Sequence, residues 1–201
     1  LFQLNGKYTL ASTAKLFSKC NLETKKYISK KLSEKPIYNL EARIESTKSK
    51  RKQDKFKSNN FGLALFIDSK KDLASVKSML GARHLKFKMI ADNLAKEILQ
   101  CGIDYFQAWK ESKDPSKDAL NLINQASSIA VGQQTKNRIN ENKEGIEEWA
   151  TTAPIKDDLN FITRKLERFQ NLSDTISNAD DLVTSCAPKL QNCPWLVSKA
   201  R

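Results

Sequence analysis

Residues 87–109 read FKMIADNLAKEILQCGIDYFQAW. Within this stretch, apolar residues fall at Phe87, Ile90, Leu94, Ile98, Cys101, Tyr105 and Trp109, each three or four residues from the next. A 3.6-residue repeat gathers them on one stripe, whereas the two-residue alternation of a strand scatters them over both faces. The stretch predicts one long amphipathic helix over 84–110.

The flanks continue the pattern. On the C-terminal side, Asp114-Pro115 offers an N-cap followed by proline at the first helical position. A second helix is expected from there to about Val131, with Ala119, Leu122, Ile123, Ala126, Ile129 and Ala130 on its face and Gly132 ending it. Helices over 133–150 and 155–172 flank the break Thr151-Thr-Ala-Pro154, and a last one begins near Ser177 and stops before Pro188 or Pro194. On the N-terminal side, Phe61-Gly-Leu-Ala-Leu-Phe-Ile67 is the longest apolar run, far short of the ~20 residues of a membrane span. It has no second strand to pair with and reads as the buried opening of a helix. Asp68-Ser69 is placed to cap a helix over 70–80, with Gly81 at its C′ position. Short helices are expected over 12–20 and 22–32, with Pro36 closing the segment. From 38 to 57 the pattern is Leu40, Ile44 and then almost nothing apolar until Phe56. That pattern fits a helix that packs at its start and projects a basic end or frays into linker, with Asn59-Asn60 breaking it. Short loops between amphipathic helices make antiparallel neighbours. The fold class is all-α, a row of antiparallel helical hairpins.

Composition agrees. The 201 residues include only 6 Gly and 5 Pro, with 39% hydrophobic and 29% charged side chains, which excludes collagen, a transmembrane bundle and a disulfide scaffold. The net charge of +12 is uneven. Residues 1–60 hold 15 Lys/Arg against 5 Asp/Glu, while residues 114–201 hold 11 against 12. Residues 1–60 therefore read as a basic helical module or linker, and 61–201 as a helical-hairpin domain. Such asymmetry points to an acidic partner for the N-terminal third. The charge is densest at Lys48, Lys50, Arg51, Lys52, Lys55 and Lys57, with Lys25, Lys26, Lys30 and Lys31 nearby. The run fits a partner- or nucleic-acid-binding patch, and it also fits a solvated helix face.

In the 95–131 hairpin, Cys101-Gly102 and Tyr105 lie on the first helix and Ala119, Ile123 and Ala126 on the second. These small and aromatic positions resemble a tetratricopeptide-type repeat, in which such residues let two antiparallel helices nest closely. The turn at 110–115 is longer than that family's, and Ile98 stands where it shows Trp. A weaker internal similarity aligns Leu65, Leu73 and Leu80 with Leu182, Leu190 and Val197. The chain thus resembles helical-repeat regions of poorly characterised bacterial proteins; an irregular helical bundle without repeats is the alternative. The resemblance implies an interaction surface rather than a catalytic centre.

Catalytic signatures are sparse. His84, the one histidine, reads as a partly exposed residue at a helix start, and no serine stands in a nucleophile elbow. The six glycines form no phosphate-binding loop. Glu147-Glu148, Asp157-Asp158 and Asp180-Asp181 are adjacent pairs that diverge by ~100° on a helix, and the two Asp pairs suit helix starts. Cys101 reads as a small buried hydrophobe. Cys186 and Cys193 either close a small disulfide loop or remain thiols, as expected of a cytoplasmic protein. The chain opens on Leu1 rather than Met, as a fragment or processed form does, and Leu1 to Leu10 has no signal-peptide core. The expectation is a non-enzymatic interaction or scaffold domain that uses no cofactor or metal and has a protein partner. The alternative is a helical protein that binds nucleic acid through its basic third.

Overall fold

The computed structural model describes residues 12, 15–170 and 176–190. Among them the chain forms seven α-helices and no strand: α1 (Leu22–Gln53), α2 (Ser58–Leu80), α3 (Leu85–Trp109), α4 (Ser116–Ile129), α5 (Gln133–Thr152), α6 (Lys156–Gln170) and α7 (Ile176–Leu190). Short 3-10 turns at Lys55–Lys57 and Ala153–Ile155 join α1 to α2 and α5 to α6.

α1 starts where the Asn21 side chain accepts the Thr24 N–H at 2.8 Å. Its buried stripe is Ile28, Leu32, Pro36, Leu40, Ile44, Thr47 and Arg51, at steps of three and four. The helix therefore runs through Pro36 instead of stopping there. A proline inside a helix costs ~3 kcal/mol locally, and here it lies on the packed face, where burial of its neighbours offsets that cost. The break comes at Asp54, not at Asn59-Asn60, because the Asp54 carboxylate accepts the Lys57 N–H at 3.2 Å and turns the chain. Asn59 and Asn60 fall in the first turn of α2.

α2 is also longer than its sequence suggested. Its buried face is Ser58, Gly62, Leu65, Ser69 and Val76, so Asp68-Ser69 sits inside one continuous helix rather than capping a second. The small residues on that face let other helices approach closely. A Cβ on Gly62 would stand 2.9 Å from the Cys101 Cβ and 3.0 Å from a Leu122 methyl. Gly81 ends α2 at φ +88°, a backbone region that L side chains avoid.

α3 is the central element, packed on α1, α2 and α4. Phe87, Ile90, Leu94, Ile98, Cys101 and Tyr105 are buried as their spacing predicts, and Ala91, Ala95, Leu99 and Phe106 widen the stripe. α1 and α2 run antiparallel, as do α2 and α3, and so α1 and α3 lie side by side in the same direction. α4 returns along α3. It starts at Ser116, one residue after Pro115, with the Asp114 carboxylate accepting the Ser116 N–H at 2.8 Å. Hydrogen bonds from the Ser116 hydroxyl first, and from its N–H second, hold the Asp114 carboxyl below its usual range. At the other end of the hairpin, Asp92 Oδ1 accepts the N–H groups of Val131 at 2.9 Å and Gly132 at 3.0 Å.

The chain divides into two compact units between Ile146 and Glu147. The boundary drawn from charge at residue 60 falls in the first turn of α2, which packs along α1, so the basic helix is built into the first unit. In the second unit, α6 and α7 pack together through Lys165–Asp181 at 2.9 Å and Lys189–Asp158. Pro188 lies within α7, near its end, and does not stop it beforehand. Cys193, Pro194 and Val197 lie outside the described residues. The Cys186–Cys193 pairing and the end of the 182–197 similarity therefore lie there too.

Candidate functional site

The structure separates the six cations of the basic run. Arg51 continues the buried face of α1 one turn beyond Thr47 and is 8% exposed. Its Nε donates to Glu97 Oε1 at 2.8 Å and its Nη1 to Asp104 Oδ2 at 2.5 Å. Glu97 and Asp104 are 7% and 8% exposed and stand two turns apart on α3. Burial alone would lower the Arg51 pKa, but the two carboxylate bonds outweigh it and push the pKa further up. Gln100 donates to Asp104 Oδ1 at 3.0 Å and accepts from Arg138 of α5 at 3.0 Å, so the network reaches three helices. Arg51 is therefore withdrawn from any phosphate-binding patch and pins α1 to α3.

The five lysines remain outside, on different faces. Lys48 pairs with Glu45 at 3.4 Å and lines the cavity between α1 and α3. Lys50 lines the groove between α1 and α2. Lys52 and Lys55 are exposed, and Lys57 pairs with Asp54 at 3.2 Å. The turn carrying Lys55 and Lys57 is fixed to the end of α3. Trp109 Nε1 donates to the Phe56 carbonyl at 3.1 Å, and the two rings meet edge to face at 5.1 Å. The Lys113 ammonium covers Trp109 at 4.2 Å from the ring centre. Phe56 itself stays 54% exposed.

The outer face of α1 carries a feature that charge counting passed over. Tyr27 and Tyr38 are 58% and 71% exposed. Eleven residues on a helix is three turns plus ~20°, so both rings lie on one stripe about 16 Å apart. Between them Lys31 and Glu34 neutralise each other at 3.2 Å. The signal was in the sequence as an i, i+11 aromatic repeat opposite the stripe of Leu32 and Leu40.

Among the described residues no group of three or more His, Cys, Asp or Glu is placed to hold a metal ion. His84 is the N-cap of α3, its Nδ1 accepting the Lys86 N–H at 3.1 Å. Cys101 is fully buried, and burial first, then the nearby Glu97 carboxylate, pushes its thiol up to about 12. No described helix is long and apolar enough to cross a membrane. Compared with family models, with curated proteins and with solved structures, the chain matches none.

Proposed function

We propose that this chain is a non-enzymatic helical interaction module that docks a protein partner on the outer face of α1. The observation that carries the reading is the pair of exposed tyrosines, Tyr27 and Tyr38, on one stripe of a 32-residue helix. Tyrosine offers 150–250 Å² of rigid surface with a polar tip and is enriched where proteins bind one another. Because Lys31 and Glu34 already satisfy each other, the stripe supplies aromatic burial rather than net charge. A tetratricopeptide-like arrangement of the α3–α4 hairpin belongs to the same proposal, supported by the burial of Gly102, Tyr105, Ala119, Ile123 and Ala126 at that contact.

The test is affinity capture from nuclease-treated extract of the source organism, using wild type and Tyr27→Ala/Tyr38→Ala. The expected result is one protein that wild type retains in high salt and the double variant releases, with unchanged circular dichroism. Equal retention by both, or recovery of nucleic acid alone, counts against it.

A second reading rests on Lys50, Lys52 and Lys55, which are exposed and enter no ion pair among the described residues, and on the exposed Phe56 ring of the same segment. That combination suits single-stranded nucleic acid held by phosphate contacts and one stacked base. Replacing the three lysines by glutamine should then reduce the salt slope of oligonucleotide binding by about two to three. An unchanged slope removes this reading.

A further inference from the structure

Where the start of α1 meets the α2–α3 turn, a groove of about 550 Å³ opens. Lys25, Lys26 and Lys30 of α1 and Lys86 of α3 line it, and Met79 and Leu80 at the end of α2 supply an apolar wall. One carboxylate, Glu34, also lines it, and that group is already engaged by Lys31 at 3.2 Å. None of the four lining lysines enters an ion pair among the described residues. The cavity between α1 and α3 is built oppositely: there Lys48 and Arg51 face their own carboxylates.

Four ammonium groups around one concavity, with no carboxylate paired to them among the described residues, repel one another and focus a positive potential into it. An ammonium is a compact, strongly hydrated point charge with three donors, so its best complement is an oxyanion of high charge density. Phosphate meets that demand, whereas the carboxylates of an acidic peptide are monovalent and spread along a chain. The volume falls in the range of small-ligand sites. Met79 and Leu80 offer a surface for an uncharged body attached to the phosphates, and the Ser29 hydroxyl lies on the same lining. We propose that this groove binds a small phosphate ester of the nucleoside polyphosphate class.

Calorimetric titration of the full chain with adenosine triphosphate tests this, with adenosine and a hexaglutamate peptide as controls. Adenosine triphosphate is expected to bind and adenosine not to. Lys25→Gln/Lys30→Gln/Lys86→Gln should weaken binding about 30-fold, taking each exposed contact near the upper part of its usual range. Lys50→Gln/Lys52→Gln/Lys55→Gln, away from the groove, should leave it within about twofold. All these lysines are exposed, and unchanged circular dichroism verifies the fold. Displacement by a 5′-phosphorylated oligonucleotide would assign the phosphate ester to a strand end, and failure to displace would assign it to a free nucleotide; either result supports the site. Absence of binding, affinity unchanged in the groove variant, or hexaglutamate binding as tightly as adenosine triphosphate would overturn it.

Discussion

Arg51 on α1 donates to Asp104 on α3 at 2.5 Å, across a sequence separation of 53 residues. The pair sits at the end of the apolar stripe that α1 lays along α3, and Glu97 shares the same guanidinium. A cation at the centre of the basic run is thus buried against two carboxylates. Both carboxylates and the guanidinium satisfy one another, so the buried charge is tolerated only as a set.

Gly62 and Gly145 should respond in opposite directions to the same change. An alanine Cβ at 62 meets Cys101 and Leu122 at about 3 Å, whereas one at 145 meets nothing within 4 Å. Gly62→Ala is expected to cost ~1–3 kcal/mol by overpacking. Gly145→Ala, inside α5, should stabilise by ~0.5–1 kcal/mol through helix propensity. Urea denaturation of the two variants checks both signs.

Asp92 holds the α4–α5 connection by accepting two backbone N–H groups. Asp92→Ala leaves both donors without that acceptor and should cost ~1–3 kcal/mol. Gly132→Ala should do similar harm, because its Cβ would land on Asp92 Oδ2. Thermal melts that place either variant at the wild-type value would mean the clamp is absent.

Cys101 makes stability fall in alkali. Its thiol is pushed from 9.0 up to about 12 in the fold. An unfolded chain therefore ionises it first, and the stabilisation is complete below pH 9 and declines as pH rises from 9 toward 12. The slope attributable to one such group approaches ~1.4 kcal/mol per pH unit. Cys101→Ala lowers stability at neutral pH by opening a small cavity, but its curve between pH 9 and 11 should be flatter than that of wild type. Parallel curves would contradict this.

Much of the fold was legible because it depends on local spacing. The steps from Phe87 to Tyr105 place α3 and its buried face, and Gly81 and Asp114 mark helix ends by their own chemistry. Pro36 and Asp68-Ser69 misled because local stop signals lost to burial on a continuous face, in α1 through Leu32 and Leu40 and in α2 through Leu65 and Val76. The fate of Arg51 was half visible. It follows Ile44 and Thr47 at steps of three and four, so it belongs to their stripe, and Glu97 and Asp104 share a face seven residues apart. Only the parallel placement of α1 beside α3 brings them together. The groove of Lys25, Lys30 and Lys86 depends on that same placement, and no pattern within one helix shows it.

The basic run is best understood as one structural cation with lysines dispersed around it, and chemical denaturation of matched variants tests that most directly. Arg51→Met strands two buried carboxylates and should lose ~3–5 kcal/mol, while Arg51→Met/Glu97→Gln/Asp104→Asn should recover most of the loss. Lys50→Gln/Lys52→Gln/Lys55→Gln should stay within ~0.5 kcal/mol of wild type. An Arg51→Met variant as stable as wild type, or a lysine triple as damaged as Arg51→Met, would contradict the assignment of Arg51 to the core.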